Sequence, residues 1–110
     1  MKHATRIKKL YEANVIYEEN PSEEDLIQYI KNWIANNPDC EVDIKITHPN
    51  IPVSLTLTHE NQPVFHCCGA ELSSQSAKLI LTLYENKLWD RHSAGSLKPV
   101  EFIPIEYSDK

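Results

Sequence analysis

The side chains best suited to hold a metal lie between residues 48 and 68. They are three histidines and two adjacent cysteines: His48, His59, His66, Cys67 and Cys68. Imidazole and thiolate are common zinc ligands, but common zinc sites use short repeats such as C-x-x-C, which this sequence lacks. In the strand register predicted from the apolar pattern, His48 and Cys68 lie about 10 Å apart, two strand spacings. We therefore expect no metal site.

A cysteine nucleophile would need a nearby base and a group that lowers the pKa of its thiol. His66 directly precedes Cys67, yet neighbouring side chains of a strand point to opposite faces. Cys68 shares the face of His66, but we expect that face to be buried. We therefore expect no catalytic residue and no enzyme activity. Three cysteines, an odd number, are also more typical of free thiols than of a disulfide framework.

The carboxylates are distributed unevenly along a chain whose net charge is −5. Residues 18–43 hold eight of them against the single cation Lys31: Glu18, Glu19, Glu23, Glu24, Asp25, Asp39, Glu41 and Asp43. Clustered charge of one sign steers association with a partner of the opposite sign. We predict these eight residues to bind a basic protein, with Trp89 as an exposed anchor.

A purely structural explanation of the same carboxylates stays open. Acidic residues near a helix N-terminus are stabilised by the helix dipole, and the exposed face of a strand is often charged. The sequence alone does not separate this explanation from a binding surface.

The glycines and the apolar pattern exclude several classes of site. Only Gly69 and Gly95 occur, whereas a phosphate-binding loop or a dinucleotide fingerprint needs several glycines at fixed spacing. We expect no cofactor. No apolar run approaches the roughly 20 residues of a membrane-spanning helix, and residues 1–6 lack the hydrophobic stretch of a secretory signal. We therefore expect a cytoplasmic protein.

The length predicts a single domain, residues 1–110, with its core in residues 20–91. A short helix is predicted over residues 3–13. A stronger helix signal follows, with a capping box from Asn20 to Glu23. The apolar stripe of this helix is Leu26, Ile27, Ile30, Trp33 and Ile34.

Three strands follow, over residues 41–48, 53–59 and 63–68. Strict alternation of apolar and polar residues gives each strand one buried face. Keeping the apolar residues on one face predicts four cross-strand pairs: Ile46 with Leu55, Ile44 with Leu57, Leu57 with Val64, and Leu55 with His66. His48, Val53, His66 and Cys68 then face the core.

The last third of the chain is less clearly patterned. Residues 74–90 favour a helix capped by Ser73 or Ser74, although a hairpin turning near residues 85–87 also fits. Residues 99–107 read as an extended segment, and Pro104 makes this segment a candidate edge strand. The predicted fold is α+β: a three-stranded antiparallel meander packed on two or three helices.

The order helix, three strands, helix over residues 21–91 resembles double-stranded-RNA-binding domains. In that family the last helix begins with a lysine-rich run that contacts phosphates. The matching segment here, residues 73–78, contains one cation, Lys78. The resemblance implies, as an alternative function, a connected basic surface made of Lys2, Arg6, Lys8, Lys9 and Lys78. A sequence pI near 5.5 argues against nucleic-acid binding, which is typical of basic domains.

The combined features favour a small acidic protein-binding module. Inhibitors, immunity proteins and regulators carried by phages or mobile elements are of this kind. A nucleic-acid-binding domain and a small enzyme of unknown reaction are the alternatives. An open edge of the sheet could also pair with a second copy of the chain.

Overall fold

The computed structural model describes residues 1–46 and 53–90 and the backbone of residues 101–102. In chain order the elements are α1 (His3–Glu12), α2 (Glu23–Ala35), β1 (Cys40–Lys45), β2 (Val53–His59), β3 (Gln62–Gly69), α3 (Leu72–Glu85) and β4 (Glu101–Phe102). The strands form one sheet in the order β1-β2-β3-β4, and β1, β2 and β3 are antiparallel. This confirms the predicted α+β meander packed with helices.

Several predictions fall on residues outside these ranges. They concern His48, the end of the first predicted strand, and most of the C-terminal segment 99–107. Within that segment, β4 pairs in parallel with β3 over two residues.

The first two helices follow their apolar spacing. In α1, Ile7 and Leu10 are buried, and in α2 the buried residues are Leu26, Ile30 and Trp33. The predicted cap of α2 was wrong by two residues: Ser22, not Asn20, is the N-cap. Ser22 and Asp25 form the capping box with each other, through bonds of 2.9 and 3.1 Å.

The pairing of β1 with β2 differs from the prediction by two residues. Ile44 lies opposite Leu55 and Val42 opposite Leu57, which leaves Ile46 outside the strand and 64% exposed. A shift of two residues keeps every side chain on its face, so the alternating pattern does not distinguish the two registers.

The pairing of β2 with β3 contains a bulge that the sequence did not reveal. Next to the Glu60–Asn61 turn the pairs follow the predicted register, with Thr58 opposite Pro63, but Leu57 lies opposite Phe65. Val64 is therefore an extra residue in β3. It shifts the rest of the strand by one position, and Val64 and Phe65 are both buried.

The bulge reverses the predicted faces of the end of β3. Cys67 is fully buried, whereas His66 and Cys68 are only partly covered. They lie opposite Thr56 and Ser54, on the polar face of the sheet. The predictions that His66 and Cys68 face the core, and that Cys67 lies on the outer face, were wrong because a one-residue shift exchanges the faces.

The helix α3 is the centre of the fold, and the hairpin alternative for this segment is excluded. It packs against α1, α2, β2 and β3. Every residue from position 74 to position 81 is buried, including Gln75 and Lys78. Its N-cap is Glu71, without a side-chain cap bond, so the predicted serine cap was wrong. Near its C-terminal end, Ile80 and Leu81 are buried and Tyr84 is exposed.

Among the described residues, no helix has the length and apolar character needed to cross a bilayer. The strand β1 lies at one edge of the sheet. Pairing of this edge with a second copy stays a prediction.

Candidate functional site

The structure separates the eight predicted acidic residues into groups. Two of them, Asp25 and Asp39, make contacts that stabilise the fold. The other six have exposed side chains: Glu18, Glu19, Glu23, Glu24, Glu41 and Asp43. Glu41 and Asp43 pair with Thr58 and Thr56, so they lie on the polar face of the sheet, away from the helices. The remaining four lie at or just before the start of α2.

The first carboxylate with a structural role is Asp25. Its side chain accepts the backbone N–H of Ser22, and its own N–H donates to the Ser22 hydroxyl. These two bonds satisfy donors that an α-helix leaves unpaired at its start. The structural explanation of the acidic residues therefore accounts for Asp25.

The second is Asp39, which lies next to a buried histidine. His59 Nε2 is 2.8 Å from Asp39 Oδ2, and both side chains are about nine-tenths covered. Glu60 N–H also donates to the backbone oxygen of Asp39. Asp39 thus fixes the end of the β2–β3 hairpin against the start of β1, and it is poorly placed to reach a partner.

A polar stripe on α2 forms one wall of a groove. Asp25, Gln28, Tyr29, Asn32 and Asn36 recur at intervals of three and four residues, so they share one side of the helix. Two adjoining pockets of about 260 and 270 Å³ lie along this side and share Tyr17, Tyr29 and Asn32. We call their combined lining the tyrosine groove: Val15, Tyr17, Glu18, Asp25, Gln28, Tyr29, Asn32, Trp33, Asn36, Trp89 and Asp90.

The segment before α2 supplies the opposite wall of the tyrosine groove. The Tyr29 hydroxyl donates to Glu18 Oε2 at 2.5 Å and accepts the backbone N–H of Tyr17 at 2.8 Å. The rings of Tyr17 and Tyr29 are tilted by 57°, with centroids 6.3 Å apart. These contacts hold Tyr29 in place, while Tyr17 stays 77% exposed.

The same contacts change the acidity of Tyr29. Burial, followed by the hydrogen bond to the Glu18 carboxylate, raises its pKa from 10.0 to about 12. The hydroxyl is therefore protonated at neutral pH and keeps its bond to Glu18.

Tryptophans close one end of the tyrosine groove. Trp33 is 4% exposed, and its indole N–H donates to the Leu88 backbone oxygen at 3.0 Å. That bond fixes the segment after α3, in which Trp89 is half-buried against the core. The predicted anchor Trp89 thus lines the groove together with Asp90.

The described residues of the tyrosine groove carry charge of one sign. They include the carboxylates of Glu18, Asp25 and Asp90, and none of these described lining residues is a lysine, arginine or histidine. A larger pocket of about 470 Å³ beside α1 has mixed charge, since Lys8, Glu12 and Glu19 all line it. The two pockets of the groove therefore favour cations, and the larger pocket has no such preference.

The histidines and cysteines do not come together as a reactive centre. In the described part of the chain, no three of His, Cys, Asp and Glu are placed to hold a metal. His66 Nδ1 lies 2.9 Å from the Thr56 hydroxyl, a cross-strand contact of the polar face. Cys40, Cys67 and Cys68 are not joined by disulfides, as the sequence predicts, and the Cys67 thiol donates to the Gln75 backbone oxygen at 3.6 Å.

The cations of the nucleic-acid alternative do not form one exposed surface. Lys2, Lys8 and Lys9 are exposed on or beside α1. Arg6 is buried, and Lys78 is 2% exposed, with its ammonium 3.4 Å from Gln75 Oε1. The connected basic surface that this alternative requires therefore lacks two of its five members.

No match to this chain exists among known protein families, curated proteins or solved structures. The assignment of function therefore depends on the geometry and charge described above.

Sequence reasoning identified Glu18, Asp25 and Trp89 but missed the tyrosine groove as a unit. Its walls come from three separate segments, so no local motif indicates it. One signal was available in α2, whose aromatic and amide residues recur at helical spacing on the side away from the apolar stripe.

Proposed function

We propose that this protein is a small cytoplasmic protein-binding module whose acidic surface binds a basic protein. An inhibitor, an immunity protein or a regulator carried by a phage or mobile element would act in this way. The surface in question, which we call the α2 surface, comprises Glu18, Glu19, Glu23, Glu24 and the tyrosine groove.

The observation that carries the proposal is the acidic lining of the tyrosine groove, formed by Glu18, Asp25 and Asp90 among its described residues, next to further exposed carboxylates. Interfaces are enriched in tyrosine and tryptophan, which add apolar contact area with a polar group at one end. Acidic residues around such a patch raise the association rate with a basic partner. The α2 surface combines both features.

Two further observations agree with the proposal. The exposed Glu23 and Glu24 are not needed for the capping box, which uses Ser22 and Asp25. Cysteines that form no disulfide with one another, Cys40, Cys67 and Cys68, fit a reducing compartment such as the cytoplasm.

The first test is an affinity purification of the tagged protein from its native cells at low ionic strength, with mass spectrometry of the eluate. We expect a basic protein in stoichiometric amount that is lost at high salt, because salt screens attraction between exposed charges. Recovery of no protein partner would contradict the proposal.

The second test uses charge reversal in the captured complex. The variant E23K/E24K should weaken partner binding and flatten its salt dependence, while Asp25 is retained so that the cap of α2 is kept. The matched control is E12K/E85K, which changes the net charge equally at two exposed residues of α1 and α3. Equal affinity of the two variants would show that the α2 surface is not the binding site.

A further inference from the structure

We infer that the tyrosine groove binds an arginine side chain of the basic partner. This inference rests on the proposed function, because it specifies which group of the partner enters the α2 surface. It follows from the shape, the aromatic walls and the acceptors of the groove.

Each pocket of the groove is of a size that suits one side chain. Its two pockets measure about 260 and 270 Å³, each below the roughly 300–1,000 Å³ of sites for small molecules. They are open to solvent along α2, so a side chain projecting from a partner's surface can enter without a change in the fold.

The aromatic walls favour a planar cation. A guanidinium group stacks on the face of a tyrosine or tryptophan ring, which a compact ammonium group does less well. Tyr17 offers a largely exposed ring, and the half-buried Trp89 lines the same pocket. Tyr29 also lines this pocket, held by its bonds to Glu18 and to the backbone of Tyr17.

The polar lining supplies acceptors that match the guanidinium donors. Carboxylates of Glu18, Asp25 and Asp90 line the groove, and the five N–H donors of arginine prefer such oxygens. Asn32 is already oriented, since its Oδ1 accepts from Gln28 Nε2 at 2.9 Å. Aromatic rings and carboxylates in the same lining favour arginine over lysine.

The test is an NMR titration of the isotopically labelled full chain with three short peptides at low ionic strength. The peptides are identical except for one position, which carries arginine, lysine or the neutral arginine isostere citrulline. We expect the arginine peptide to shift the backbone amides of Tyr17 and Asn32 and the indole N–H of Trp89. The lysine peptide should bind about fivefold more weakly, because an ammonium group stacks less well on the rings than a guanidinium group, and citrulline more weakly still.

Two variants assign the binding to the tyrosine groove. The variant Y17A should remove the preference for arginine, and it should fold because the backbone N–H of Tyr17, not its ring, bonds to Tyr29. The matched control is Y84A, which removes an exposed tyrosine of α3 outside the groove and should leave the titration unchanged.

The outcomes separate this inference from the proposed function. Equal binding of the arginine and lysine peptides, unchanged by Y17A, would overturn the arginine site and leave a general acidic surface. Absence of shifts with every peptide would also overturn the site, and the affinity purification would still decide whether a basic partner exists. Selective binding that Y17A abolishes and Y84A preserves would establish the site.

Discussion

The helices α2 and α3 are nearly equal in length but differ in what surrounds them. α2 buries one stripe, Leu26, Ile30 and Trp33, and presents a polar and aromatic stripe to solvent. α3 packs against two helices and two strands, and its residues 74–81 are buried without interruption. The comparison predicts that changes on the exposed side of α2 leave the fold intact, whereas changes in α3 should mainly affect stability.

The largest expected effect is a loss of stability in α3. Ile80 is fully buried, and truncation of a buried isoleucine to alanine typically costs about 2–5 kcal/mol. The variant I80A should therefore lower the midpoint of urea unfolding, with little change in the slope of the transition. The matched change K31A, at an exposed position of α2, should stay within about 0.5 kcal/mol of the wild type. Similar losses in both variants would contradict the difference between the helices.

A smaller loss of stability is expected from changes at the N-caps of α2 and α3. Replacing Ser22 with alanine removes the side chain that accepts the Asp25 N–H, and loss of such a cap costs about 0.5–2 kcal/mol. The N-cap of α3, Glu71, makes no side-chain cap bond, so E71A should cost less. Unfolding in urea measures both variants, and an equal loss would mean that the capping box of α2 contributes little.

The smallest effect is expected at alkaline pH and involves Tyr29. Because folding raises its pKa from 10.0 to about 12, the unfolded chain loses this proton at lower pH than the folded chain. The stability associated with the Tyr29 proton is therefore complete below pH 10 and is lost as the pH rises towards about 12. An absorbance titration of tyrosinate should show a late phase near pH 12 that is missing in Y29F. If both proteins titrate identically, the bond between Tyr29 and Glu18 is not maintained in solution.

The sequence predicted α2 and β2 well because each has a regular period and one exposed face. The bounds of β2 match the prediction, and α2 differs mainly in the position of its cap. The helix α3 was ambiguous for a physical reason: a helix that is buried all round has no polar side, so the apolar pattern has no clear period. Its buried Gln75 and Lys78 make the pattern still less regular.

The tyrosine groove and the register of β3 could not be predicted from the sequence, for two different reasons. The groove needs Tyr17, Tyr29 and Trp89 to meet from three segments, and only tertiary packing brings them together. The register of β3 depends on the single bulged residue Val64, which is apolar like its neighbour Phe65. Nothing in the alternation indicates which of these two residues lies opposite Leu57.

The bulge at Val64 also determines how β3 can change in length. The strand contains one residue more than its pairing with β2 requires. If Val64 were deleted, Pro63 would stay opposite Thr58 and Phe65 opposite Leu57. Cys67 would then stay on the core face of the sheet and His66 on the polar face. An insertion or deletion further along β3 would instead exchange the two faces of every residue beyond it. This position is therefore the place in β3 where the chain can lose a residue and keep every other residue of the strand on its present face, with the loss of only the Val64 side chain from the core.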